Sequence, residues 1–217
     1  MKIEIWSDFV CPYCYMGKRA LEMALAKFPH ADKVELIYRS YELDPSADNQ
    51  KKMLVNEVLM QKYGMTHQEI TGENAKITLQ GYRLGLNYVD LHLIRDVNTL
   101  TAHRLLKYAE TVGKAGEWTE RLMKAHFTDK RFIGDEGVLK NLAWEIGLDQ
   151  KVVQTILKSN DYFESVRADV ELATSLDIDS IPFFLFNGKY AASGALPIVE
   201  FEEMLKLVWD EEQKSSK

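Results

Sequence analysis

The sequence predicts an α/β fold: one mixed sheet built from both ends of the chain, βαβ from the front and ββα from the back, with a large all-helical insertion between them. Three observations carry this. Residues 2–43 read strand, helix, strand, and residues 183–208 read strand, strand, helix. Between Pro45 and Pro182 there is no proline, and apolar residues recur at helical spacing. Residues 1–45 and 180–217 are therefore assigned to one domain and residues 46–179 to an inserted helical domain.

From Lys2 to Trp6, Ile3 and Ile5 alternate with Lys2, Glu4 and Trp6, the period of a strand entering a core. After a turn over Ser7 to Val10, the residues Cys14, Leu21, Ala24, Leu25 and Phe28 fall three and four apart, opposite Lys18, Arg19, Glu22 and Lys27. This is an amphipathic helix starting at Cys11 and ended by Pro29. "VELIYRSYEL", residues 34–43, is the second strand, parallel to the first by the handedness of βαβ units. In the helical block, Gly64 ends a helix begun near Gln50, and Thr66 with Glu69 forms a capping box. A long helix starts at Asn98 or Thr99 and ends near Gly113; Gly147 ends another, and Asp149 caps the next, for six or seven helices in all. Asn187-Gly188 is a two-residue hairpin turn between strands at 183–186 and 189–192. Pro197 opens a last helix with Ile198, Phe201, Met204, Leu205 and Val208 on one face, and the tail "QKSSK" is expected to fray.

With 217 residues, 46% hydrophobic and 28% charged, the chain has material for a sizeable core. Its opening, "MKIEIWSD", is too short for a secretion signal, and no stretch reaches the length of a membrane span, so a cytoplasmic setting is expected. A formal charge of −6 argues against nucleic acid and anionic membranes as partners.

The only two cysteines, Cys11 and Cys14, stand three apart in "SDFVCPYCYMGK". In a reducing compartment a lone Cys-x-x-Cys points to redox chemistry more than to a structural bridge. At a helix N-terminus Cys11 lies among unpaired N–H groups and at the positive end of the macrodipole, which favours its thiolate. Cys14, one turn on and nearer the core, is placed to attack a mixed disulfide on Cys11 and release the partner. Pro12 suits the first turn, and Tyr13 adds bulk without charge. The plainer alternative is two packing cysteines. A zinc site lacks ligands: there is no second cysteine pair, and the five histidines match no ligand spacing, so no metal is expected.

Together these segments resemble the thioredoxin fold, specifically its DsbA-like, FrnE-type branch with a helical insertion. The resemblance is carried by "WSDFVCPYCYMGK", "YELDP", "NTLTAHRL", "FTDKRFIGDEGVLKNLAWEIGLD" and "IPFFLFNGKYAASGA". It implies that Pro182 is a cis proline lying against the dithiol and that the backbone of Ile181 pairs with a bound peptide or thiol. Tyr13 departs from the tryptophan common in FrnE-type proteins and makes a dipeptide better known from glutaredoxins, which are much shorter. The related glutathione transferases and hydroxychromene-carboxylate isomerases carry serine in place of the first cysteine.

The expected function is a cytoplasmic thiol-disulfide oxidoreductase, with isomerisation as a variant of the same exchange. Cys11 is the nucleophile and Cys14 the resolving thiol, with Pro12, Tyr13, Ile181 and Pro182 at the substrate. His103 is a further candidate facing the substrate cleft, Asp8 a candidate influence on thiol protonation, and Trp6, Tyr15 and Tyr41 candidates for its mouth. Partners would be protein or small-molecule thiols and disulfides. No cofactor is implied, with glutathione left open as a co-substrate; the oligomeric state is left open too. Two alternatives stand beside this reading: a glutathione-dependent isomerase or transferase of a small aromatic or polyketide-like compound, and a redox-sensing binding module.

Overall fold

Apolar side chains alternating on four short strands, and stripes of them on nine described helices, close around one sheet. The structure is a computed structural model and describes residues 1–215. In chain order the elements are β1 (Lys2–Ser7), α1 (Pro12–Leu25), β2 (Glu35–Ser40), α2 (Val55–Tyr63), α3 (His67–Arg83), α4 (Leu100–Thr111), α5 (Ala115–Phe127), α6 (Glu136–Glu145), α7 (Gln150–Lys158), α8 (Phe163–Ser175), β3 (Phe183–Phe186), β4 (Tyr190–Ser193) and α9 (Ile198–Ser215). Strand order is β2-β1-β3-β4. β1 runs parallel to β2 in the register Ile3 to Leu36, and antiparallel to β3 in the register Ile5 to Phe184. The two chain ends thus make one mixed sheet, and seven helices lie between β2 and β3.

Several boundaries move for local reasons. The first helix stops at Leu25 rather than at Pro29, because residues 26–33 turn into a short 3-10 segment. The helix expected from Gln50 begins only at Val55. Residues 48–51 form a turn capped by Asp48, and the Glu57 carboxylate instead accepts the Leu54 N–H at 2.8 Å. The Thr66–Glu69 capping box and the Asp149 cap form at the expected residues. In the hairpin, Asn187 and Gly188 both take positive φ, 49° and 66°; Lys189 closes the turn onto the Phe186 carbonyl, so β4 starts at Tyr190. Residues 213–215 continue α9, and the last two residues of the tail expected to fray lie outside the described residues.

One continuous core runs from the sheet into the helical block: Ile3, Ile5, Leu21, Tyr38, Phe184, Phe201 and Leu205 join Leu105, Trp118 and Leu122. Buried charge reinforces the joint. Asp169 of α8 meets Arg39 of β2 at 2.9 Å and Lys107 of α4 at 2.5 Å, and its carbonyl accepts the Trp6 indole N–H at 3.2 Å. A partner removed from such a buried set leaves an uncompensated charge, so these contacts hold the helical block in one orientation on the sheet. Among the described residues no helix is long and apolar enough to cross a membrane.

Candidate active site

The β1–α1 turn delivers the cysteine pair to the end of the sheet. Cys11 is the N-cap of α1 in extended conformation, and Pro12, which has no N–H to leave unpaired, takes the first helical position. The Cys14 N–H donates to the Cys11 sulfur at 3.2 Å, so the sulfur serves as the side-chain cap. Both cysteines are free thiols, 4% and 1% exposed. Burial first, and then the hydrogen bond and charge of Cys11, push the Cys14 thiol well above its ordinary pKa. Cys14 is the partner that keeps its proton.

Across the sheet, the loop into β3 brings Ile181 and Pro182 to the same place. Their peptide bond is cis, and the Cys11 thiol points at the Ile181 carbonyl at 4.0 Å. Pro182 is buried against α1 at Gly17, where a Cβ would lie 2.9 Å from the proline ring and 3.1 Å from Phe184. The glycine is what lets the helix and the loop approach this closely.

The helical block supplies the cover. Ile77, Leu86, Tyr88, Ile94, Met123 and Phe127 pack around Cys11, Cys14 and Tyr15. Two tyrosines tie it down: Tyr88 donates to the Pro12 carbonyl at 2.7 Å, and Tyr13 donates to the Glu73 carboxylate of α3 at 2.6 Å. Burial and then the Glu73 bond push the Tyr13 hydroxyl to a pKa of about 12, so it remains a neutral donor. Pro12, Tyr13 and Ile181 are partly exposed and form the rim.

Other candidates fall elsewhere. His103, expected to face the cleft, is 0% exposed; its Nε2 lies 3.3 Å from Asp8, beneath the dithiol rather than in a cleft wall. The reason is that α4 lies against β2 and presents that side chain inward. Asp8 is 1% exposed and accepts the Phe9 and Leu43 N–H groups at 2.7 and 2.8 Å. Trp6 and Tyr41 belong to a second cluster with Ala173 and Ile178, which Ile181 joins to the cluster around the dithiol. Tyr88 and His126 had no signal in the sequence: Tyr88 sits in a loop, and His126 is one of five scattered histidines.

This geometry has relatives. The profile of the DSBA-like thioredoxin domain matches residues 2–206. The Bacillus subtilis (strain 168) protein YwbO, itself uncharacterized, is 29% identical over 213 residues, 98% of each chain. The crystal structure of a probable DsbA oxidoreductase, SCO1869 from Streptomyces coelicolor, superposes with a TM-score of 0.92 at 36% identity, over 97% of this chain and 91% of that one. The cytosolic disulfide reductase DsbM from Pseudomonas aeruginosa shares the fold, with a TM-score of 0.67 at 15% identity over 95% and 98% of the two chains. With the family profile spanning nearly its whole length, the chain belongs to the DSBA-like thioredoxin domain family.

Proposed function

We propose that this protein exchanges disulfides through Cys11 and Cys14. The observation that carries the reading is their inequality. Cys11 sits on the N-terminus of α1 beside a rim of partly exposed residues, and Cys14 lies directly beneath it, buried and holding its proton. The Cys11 thiolate attacks a substrate disulfide, forming a mixed disulfide and releasing one thiolate. Cys14 then loses its proton and attacks the Cys11 sulfur, forming the Cys11–Cys14 disulfide and releasing the second thiolate. Two electrons pass from the dithiol to the substrate; run backwards, the same steps oxidise a substrate dithiol.

The proposed cytoplasmic setting draws on DsbM, a cytosolic disulfide reductase, and glutathione as a proposed partner on the solved complex of DsbM with that tripeptide. Pro12, Tyr13, Ile181 and Pro182 are the residues proposed to touch substrate: the first two follow Cys11 in the first turn of α1, and the Ile181 carbonyl lies 4.0 Å from the Cys11 sulfur next to the cis Pro182. The test is a pair of variants. Cys11→Ser should abolish reduction of insulin or a model disulfide, whereas Cys14→Ser should accumulate mixed disulfides on Cys11, read by mass spectrometry. Equal residual activity in the two variants overturns the assignment of roles.

A further inference from the structure

Helix α3 carries two stripes of the same spacing, and the fold uses one of them. Ile70, Asn74, Ile77 and Gly81 turn inward; Ile70, Ile77 and Gly81 are buried and Asn74 is half-buried. One position further round, Thr71, Ala75, Thr78 and Tyr82 repeat the four-three-four spacing on the outside, all exposed, with Leu79 beside them. Tyr82 is 77% exposed and Leu79 53%. The charged side chains of the helix, Glu69, Glu73, Lys76 and Arg83, all fall outside this stripe. In a chain that is 28% charged, an exposed helix face that carries no charge and ends in a tyrosine has the composition of an interface core.

Beside the stripe lies a groove of about 740 Å³. Thr71, Thr78 and Tyr82 line it from α3, Asn56 from α2, and Leu91 and His92 from the short turn that follows Tyr88. Gly81 brings α3 down onto the buried Tyr88, which also lines the groove: a Cβ at Gly81 would lie 2.6 Å from the Tyr88 ring. The Asp90 carboxylate on the groove is paired with Lys130 at 2.7 Å, so the groove offers no unpaired carboxylate or ammonium group.

A protruding ring and an open groove thus share one uncharged surface, and a second copy of this chain supplies the complement to both. Turned about a two-fold axis, α3 of one copy runs antiparallel to α3 of the other, and the outer stripe pairs with itself. Tyr82 then stands opposite Thr71 and Ala75 opposite Thr78, large against small at the ends and small against small at the centre, where the backbones approach. Each Tyr82 comes over the part of the groove that Thr71 and His67 line in the other copy. Such a contact is isologous and closes at two copies. Charge favours the same face: each copy carries −6, and a stripe without charged side chains adds no like-charge pair to the contact.

We propose that the protein is a homodimer built on the outer stripe of α3, with Tyr82 of each copy seated in the groove of the other. The interface shares a wall with the dithiol, because Tyr88 in the groove donates to the Pro12 carbonyl at 2.7 Å. The pairing itself does not depend on the exchange chemistry.

Sedimentation velocity of the reduced protein tests this at about 1 to 100 µM, where a dimer of micromolar or tighter affinity is populated. The unmodified protein should sediment with twice the mass of one chain. Tyr82→Glu and Ala75→Glu, at exposed positions, should each weaken association by about thirtyfold or more, the size of a hot-spot loss, with unchanged circular dichroism and unchanged reaction of Cys11 with a model disulfide. A cross-link provides a readout that no destabilising substitution can mimic. In a Cys11→Ser, Cys14→Ser background, Thr78→Cys, close to the two-fold axis, should join two copies through a short bismaleimide, whereas Val199→Cys, 55% exposed on α9, should not. A monomer at every concentration overturns the proposal and leaves a foreign protein as the occupant of the groove. A dimer that survives both glutamate variants, or that cross-links through Val199→Cys and not through Thr78→Cys, places the contact on another face and overturns it as well.

Discussion

On the rim of the dithiol, Pro12, Tyr13 and Ile181 remain partly exposed and are held by two tyrosine hydroxyl bonds; beneath it Cys14, Asp8, His103 and His126 are at most 3% exposed. The rim is made by the first turn of α1 and the loop into β3. The floor is made by side chains that arrive from the β1–α1 turn, α4 and α5. One motif thus puts two chemically alike thiols into unlike surroundings, and burial first, then the hydrogen bond and charge of Cys11, keep the proton on Cys14. What differs between them is environment, contributed by segments far apart in sequence.

The largest expected effect that sharpens this contrast is on the floor. Burial lowers the His126 pKa from 6.5 to about 4. As pH falls the unfolded chain therefore binds this proton first. The stability involved is full above about pH 6.5 and is lost down to about pH 4, amounting to about 3 kcal/mol at about 1.4 kcal/mol per pKa unit. His126→Gln should flatten the dependence of the urea midpoint on pH in that window. A slope equal to that of the unmodified protein would show the floor to be wetter than it looks.

Next comes the joint between rim and sheet. Gly17→Ala places a methyl 2.9 Å from the Pro182 ring and 3.1 Å from Phe184. Helix propensity alone would favour alanine by about 1 kcal/mol, yet overpacking costs about 1–3 kcal/mol, so a net loss of up to about 2 kcal/mol is expected from denaturant midpoints. A stabilised variant would mean that the loop yields and the rim is softer than the floor.

The smallest effect belongs to the rim's own tie. Tyr88→Phe removes one hydrogen bond to the Pro12 carbonyl and should cost about 1 kcal/mol, with faster alkylation of Cys11 as the cover loosens. An unchanged alkylation rate would separate the tyrosine bond from the protection of the nucleophile.

Much of this was legible in the residues themselves. The period-two alternation over residues 2–6, the three- and four-residue spacing after Cys11, the Thr66–Glu69 and Asp149 caps and the Asn187-Gly188 turn are local signals, set by steric and hydrogen-bonding preferences a few residues wide. They suffice for the order of elements and for placing the dithiol on a helix N-terminus. Family resemblance supplied the expectation of a cis Pro182, since nothing local distinguishes that proline from a trans one.

Only the tertiary structure decided what surrounds the sulfurs. The packing of Pro182 against Gly17, the approach of the Ile181 carbonyl to Cys11 across 170 positions, and the meeting of Asp8 and His103 depend on three-dimensional closure. His103 shows the limit plainly. A helical histidine carries the same sequence signal whether it faces a cleft or a buried carboxylate, and the side of α4 that turns inward is settled by packing against β2 and α5. The chemistry of the pair could be read from Cys-Pro-Tyr-Cys, because reactive groups and their spacing are covalent properties. The protonation of Cys14 could not, because desolvation and through-space charge are set by atoms that the chain brings near only when it folds.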